Sequence, residues 1–239
     1  MSTRTSITVG TADLRQALSA VRVHATADKD LAEYHRIRLV FGPENVVVTA
    51  TDRFTAGLAI VSQWDSDADT DLVVELLPDD VAKILGIFKA GGKELGETPE
   101  YMVRFEIDEQ HVTLTDCSGM IDGRALRVPR LATQDALDAV PGLIYRTHAG
   151  QQALLVDMTV SGDSLARFKV AAAAYGSSVA IEARGEGRAL LIRCGEAFLG
   201  VMSPRRLTED DVQRAGEWAE AWGRRLPEIA SVTTESGGE

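Results

Sequence analysis

Residues 5–9 alternate apolar and polar side chains, the period of a half-buried strand. At Thr11-Ala12-Asp13 the period changes. Leu14, Leu18, Val21 and Ala25 fall at i, i+4, i+7 and i+11, one face of a helix. Ile37-Arg38-Leu39-Val40-Phe41, Val46-Val47-Val48-Thr49-Ala50 and residues 54–61 then read as three short strands, with a Gly-Pro-Glu-Asn turn between the first two.

Residues 62–71 hold four aspartates and little that packs, which predicts an exposed connection. Beyond it the same order returns. Residues 72–77 predict a strand, and Pro78-Asp79-Asp80 starts a helix with Val81, Ile84, Leu85 and Phe88 inward. A Gly-rich acidic loop over residues 91–99 leads to strands at 101–107, 111–115 and 125–128. A third copy has a strand at 153–160 and a helix capped by Ser161-Gly162-Asp163-Ser164 that runs through Leu165 and Phe168. Strands at 178–183, 189–194 and 197–202 close it. Residues 134–144 predict a shrunken unit between the copies, a helical turn plus a strand. What repeats is element order, not residue identity, and paired units of this kind place helices on one side and sheets on the other.

The pattern changes again at Thr208. Thr-Glu-Asp-Asp is an N-cap with an acidic first turn, and Val212, Ala215, Trp218, Ala219, Trp222 and Leu226 form an apolar stripe on a helix over residues 208–226. Residues 231–239 read as a disordered end.

Composition narrows the chemistry. The 239 residues are 45% hydrophobic and 26% charged, with 25 Lys+Arg against 36 Asp+Glu and a net charge of -11. No run of about 18 apolar residues occurs, and residues 1–10 lack a signal-peptide profile. The expectation is a cytoplasmic protein without a membrane partner. Cys117 and Cys194 belong to no CxxC pair and the four histidines are isolated, which supports neither a disulfide scaffold nor a metal centre. No Walker loop, GxSxG elbow or HExxH is present, so the reading is of a non-enzyme with no cofactor. Gly185-Glu186-Gly187 reads as a hairpin loop, and Cys117 as a strand-end thiol. Asp79-Asp80 and Asp210-Asp211 lie at helix starts, where acids favour the dipole.

Charge is segregated among the helices. Bodies at 14–25, 81–90 and 164–175, 34 residues together, contain Arg15, Arg22, Lys83, Lys89, Arg167 and Lys169 and no acid. Composition alone would put about five acids there. Either these are solvated faces that are basic by chance, or three equivalent helices present one basic surface in an acidic protein. The second suits contact with phosphates that is indifferent to sequence.

Thr49-Ala50-Thr51-Asp52-Arg53-Phe54 resembles the ATDR(F/Y)RLA junction of the bacterial DNA polymerase III beta subunit, the sliding clamp. Residues 72–85 resemble the strand-helix that opens a clamp half-domain. Asp122-Gly123, Val128-Pro129-Arg130 and Val140-Pro141 resemble its DGxFPxYxxxxP linker over a longer interval, and Val201-Met202-Ser203-Pro204-Arg205-Arg206-Leu207 resembles its closing LMPxRL. The order matches the family's. Thr55-Ala56 stands where the family has Arg-Leu, and Ser203 is inserted.

The resemblance implies an α+β DNA-clamp fold: repeated strand-helix-three-strand half-units, with helices on one face of antiparallel sheets. It divides the chain into a complete clamp-like domain at 1–128, a linker or remnant half-unit at 129–150, a clamp-like half-unit at 151–207, and the C-terminal helix with its tail at 208–239. A family subunit has three such domains, and the shortened form suits a phage or plasmid replicon. The implied function is a processivity factor that encircles double-stranded DNA as a homo-oligomeric ring and tethers a polymerase, and a clamp loader, through short peptides. The segregated basic residues Arg15, Arg22, Lys83, Lys89, Arg167 and Lys169 would face DNA, and, carried over by position, Thr51, Arg53, Phe54, Met202, Pro204 and Leu207 would line the peptide pocket. Two alternatives stay open: Phe54 and Met202 as plain core, and a clamp-derived interaction module in replication or repair that closes no ring.

Overall fold

The computed structural model describes residues 5–66, 72–89, 101–154, 158–185 and 189–235. The chain divides into two compact units, one of residues 1–156 and 160–204, the other of residues 157–159 and 205–239.

The first unit is built on antiparallel strands. β1 (Thr5–Gly10) leads into helix α1 (Thr11–Arg22), and β2 (Ile37–Phe41), β3 (Asn45–Thr51) and β4 (Thr55–Ser66) follow. β5 (Leu72–Leu76) and α2 (Pro78–Ile87) open the next repeat, which β6 (Met102–Ile107), β7 (His111–Asp116) and β8 (Ala125–Pro129) complete. A 3-10 turn (Asp135–Leu137), α3 (Ala139–Ala149) and α4 (Gly162–Tyr175) precede β9 (Val179–Arg184), β10 (Ala189–Cys194) and β11 (Phe198–Met202). Strand order runs β5-β2-β3-β4-β1-β6-β7-β8, with β11, β10 and β9 branching from β4.

β4 makes that branch. One of its edges pairs with β3 from Ala56 to Ser62. Its other edge pairs with β11 over Thr55–Ala59 and then with β1 at Gln63, Asp65 and Ser66. The strand therefore runs five residues into the segment expected to be an exposed connection, because β1 supplies a ladder for it; residues 67–71 of that segment lie outside the described residues.

α1 packs against α2 on one side and α4 on the other, so the three repeated helices lie side by side. α1 and α2 stop at Arg22 and Ile87, three residues short of the expected 25 and 90, and Phe88 is already extended. The starts of α2 and α4 and the end of α4 carry local signals. Pro78 occupies the first turn of α2, where its missing N–H is not needed. The Ser161 side chain accepts the Ser164 N–H at the start of α4, and Gly176 ends it with φ 59°, a left-handed cap that a side chain would strain. α1 buries Leu14, Ala17, Leu18, Ala20 and Val21.

α3 covers the opposite face. Leu137, Val140 and Ile144 cluster with Ala56, Leu191 and Val201. The neighbouring strand residues Gly57 and Gly200 turn the other way, toward His24 near α1 and Phe168 on α4. This helix replaces the strand expected within residues 134–144, because Leu137, Val140 and Ile144 already follow a helical period and bury on the sheet. Nor is a strand formed by the described part of residues 153–160: contact with β9 is limited to one bridge, Gln152 with Arg184, and one bond from the Ala153 N–H to the Ala183 carbonyl. The expected loop at 91–99 and the Glu186-Gly187 tip lie outside the described residues. Gly185, just before that tip, has φ 64°.

A buried ion cluster ties the edge of the first repeat to the segment before α3. Glu75 of β5 receives Arg36 at 2.5 Å and Arg38 at 2.8 Å, with its own side chain fully buried. Arg36 also donates to the Ala132 carbonyl, and Arg38 to Asp138 and the Gln134 carbonyl.

The second unit is dominated by α5 (Glu209–Glu235). Thr208 and Asp211 cap it reciprocally: the Asp211 N–H donates to Thr208 Oγ1 at 3.2 Å, and the Thr208 N–H to Asp211 Oδ2 at 3.1 Å. The helix runs past Leu226, the end expected for it, to Glu235. Pro227 removes one backbone donor, and the ladder resumes beyond it.

Candidate functional site

The six basic residues of the helix layer fall into two groups. Arg15 reaches from α1 to the carbonyls of Leu85 and Phe88 at the end of α2, Lys83 pairs with Asp80 at 2.7 Å, and Arg167 pairs with Asp52 at 2.6 Å. The hydrogen bond that Lys83 donates to the Asp80 carboxylate raises the Lys83 pKa above its ordinary value, so its charge persists. Arg22, Lys89 and Lys169 form no ion pair among the described residues, and both lysines are exposed. Arg15 and Arg167 thus brace the helix layer, Lys83 pairs within its own helix and keeps an exposed head, and Lys89 and Lys169 leave their charge open to an anion, while Arg22 is half-buried.

The second candidate region is the β3–β4 turn. The Asp52 carboxylate accepts the N–H groups of Phe54 and Thr55 at 3.0 and 2.7 Å, and Thr51 Oγ1 donates to the Thr55 carbonyl at 2.7 Å. Arg53, held between them, adopts φ 80°, a left-handed backbone that is costly for a side chain of this size. Its guanidinium lies 5.3 Å from the centre of the Tyr34 ring. The turn pushes Phe54 outward, leaving it 62% exposed. It is not core.

Beside this turn runs β11. Met202 pairs with Thr55 and is fully buried, and the Ser203 N–H donates to the Phe54 carbonyl at 2.9 Å. Thr51, Arg53, Phe54, Met202 and Pro204 all belong to the first unit, whereas Leu207 belongs to the second. An exposed aromatic on a strained turn next to a strand end can receive an apolar side chain of an extended segment.

Sequence reasoning missed His24. It sits beneath this turn, its ring 4.8 Å from Phe168 and 6.1 Å from Phe198. Burial, reinforced by the positive charge of Arg167, lowers its pKa to about 3, so the ring is neutral at physiological pH. A signal did exist in Gly57, a glycine in mid-strand: a Cβ there would lie 2.6 Å from His24 Cδ2.

Among the described residues no three His, Cys, Asp or Glu side chains gather to hold a metal ion, and no helix is long and apolar enough to cross a membrane.

No protein-family model and no curated protein matches the sequence. Solved structures do match the fold. The beta subunit of DNA polymerase III from Thermotoga maritima superposes with a TM-score of 0.57 at 12% identity, over 88% of this chain and 67% of that one. The DNA polymerase sliding clamp from Bacillus subtilis gives 0.60 at 12% identity, over 85% and 64%. The beta subunit of the Streptococcus pyogenes DNA polymerase gives 0.57 at 13%, over 84% and 65%. The fold is the α+β fold of sliding clamps. It is, in particular, that of the bacterial DNA polymerase III beta subunit, in a chain that spans about two thirds of those proteins' length.

Proposed function

We propose that the protein is a sliding-clamp-type processivity factor for a DNA polymerase. It acts without catalysis, in the cytoplasm, as a homo-oligomeric ring around double-stranded DNA. One observation carries the reading: α1, α2 and α4 lie side by side and carry Arg22, Lys83 and Lys169, with Lys89 two residues past the end of α2, in a protein of net charge -11. Basic side chains on such a layer attract phosphates while the acidic remainder is repelled, which favours movement along DNA over tight sequence-specific binding. Arg15 and Arg167, assigned to DNA by the charge segregation of the helices, act here through the elements they hold. Partner peptides of the polymerase, and of a loader, would dock at Phe54 with Thr51, Arg53, Met202 and Pro204 around them.

The test is retention on closed circular DNA. The protein should stay on circles, leave when they are linearised, and lose retention as salt rises. Alanine at Arg22, Lys83, Lys89 and Lys169 should reduce retention with the fold intact. Unchanged retention in that variant overturns the assignment of the helix layer.

A second reading, a clamp-derived interaction module that encircles nothing, draws support from the inward engagement of Arg15 and Arg167. Equal retention on circular and linear DNA would favour it.

A further inference from the structure

Along α5, Val212, Ala215, Ala219, Trp222, Leu226 and Ile229 are separated by steps of three, four, three, four and three. That is the two-per-heptad seam of a helix that meets a single partner helix, narrower than the stripe of a helix laid on a core. The seam is exposed, with Val212 at 58%, Trp222 at 55% and Leu226 at 54%, and Trp218 beside it at 66%. Two exposed tryptophans on one face mark an interface.

We infer that the partner is α5 of a second copy, running antiparallel about a two-fold axis near residues 220 and 221. Size complementarity carries the argument first. In that register Ala219 meets the partner's Trp222, Ala215 meets the partner's Leu226, and Val212 meets the partner's Ile229, each contact occurring twice. Bulky residues face small ones in both inner layers, which is how facing helices interdigitate. A parallel pair would stack Trp222 on the partner's Trp222 and leave Ala219 opposite alanine, a bulge next to a gap.

Charge points the same way. Residues 209–221 carry Glu209, Asp210, Asp211, Glu217 and Glu220 against Arg214 alone, whereas residues 222–230 carry Arg224 and Arg225 against Glu228. Antiparallel pairing sets the acidic half over the basic half, while parallel pairing sets acid on acid. The same register brings Trp218 alongside the partner's Arg225, a cation–π arrangement.

The glycines explain the close approach. Gly216 and Gly223 share one flank of the seam, and a Cβ on either would meet open space. Each costs a helix interior about 1 kcal/mol relative to alanine. Bare backbone on that flank lets a second helix come near. Pro227 falls on the outer face of the same heptad, away from the seam.

The pairing does not rest on the proposed clamp function, and the two are read by different experiments. Sedimentation equilibrium of the full chain across micromolar concentrations should show a reversible dimer or a multiple of it. Trp222→Glu should weaken association by about thirtyfold, the loss of a central aromatic anchor, with helix content unchanged by circular dichroism. Ala219→Lys alone should weaken it too. Combining the two should restore association, since only antiparallel pairing places the opposite charges in one layer. A wild-type monomer, an oligomer indifferent to Trp222→Glu, or a double variant that fails to recover would each overturn the inference. So would a monomer whose melting temperature falls with Trp222→Glu at every concentration, because the seam would then cover its own chain.

Discussion

Asp52, in the turn between β3 and β4, and Arg167, on α4, stand 115 positions apart and meet at 2.6 Å. Arg167 also donates to Thr55 Oγ1 at 2.9 Å, so one guanidinium fixes both the turn and the strand that follows it. Arg167→Ala should therefore lower stability by about 1–3 kcal/mol, the cost of leaving a largely buried acceptor unpaired. Lys169→Ala, two residues on and exposed, should leave urea unfolding unchanged while reducing retention on DNA at low salt. Equal stability of the two variants would contradict the assigned roles.

Glu75→Gln should be among the most damaging single substitutions. It leaves Arg36 and Arg38 buried against a neutral amide, and breaking a buried ion cluster costs about 3–5 kcal/mol. The midpoint of urea unfolding measures it. A loss under about 1 kcal/mol would show that water replaces the carboxylate.

Stability should depend on pH through His24. Its folded pKa of about 3 lies below the unfolded value of 6.5, so the unfolded chain takes up the proton first. The contribution is complete above pH 6.5 and shrinks as pH falls toward 3. At pH 5 the loss amounts to about 2 kcal/mol. His24→Phe should flatten the difference in unfolding free energy between pH 7 and pH 5, whatever it does to absolute stability. An unaltered slope would assign the dependence to other groups.

Gly200→Ala tests the fit between β11 and α4. The added methyl would lie 2.4 Å from Phe168 Cε1 and 3.1 Å from the Ala56 carbonyl, with backbone on one side and a packed ring on the other. Overpacking of this kind costs about 1–3 kcal/mol. A melting temperature equal to wild type would mean that α4 yields freely.

Much of the architecture was legible because it follows local periods. Leu14, Leu18 and Val21 declare the buried face of α1, and the alternation in β6 and β7 declares their pairing face. What escaped was set by partners distant in sequence. β4 continues past Ser62 only because β1 pairs with it, and the described part of residues 153–160 fails as a strand because little of β9 receives it. Val140-Pro141, matched to an interdomain linker, lies within α3. The helix layer could be read from charge segregation, but not which of its cations were already engaged: Arg15 meets two carbonyls more than sixty residues away, and Asp52 gives no sign that Arg167 will find it. Arg36, Arg38 and Glu75 read as the polar positions of ordinary strands, since burial of a charge cluster depends on the segment that folds over it.

β4 has a consequence for synthesis on the ribosome. Ala59 must wait for Phe198, its partner on β11, which is translated 139 positions later. At roughly 5–20 residues per second the edge at Thr55–Ala59 stands open for about 7–28 s. During that interval the nascent chain offers an unpaired, largely apolar strand edge to any neighbour emerging from an adjacent ribosome. Yield in the cell should thus depend on elongation rate between residues 60 and 198, and on a holdase that shields this edge, more than on the equilibrium stability of the finished fold.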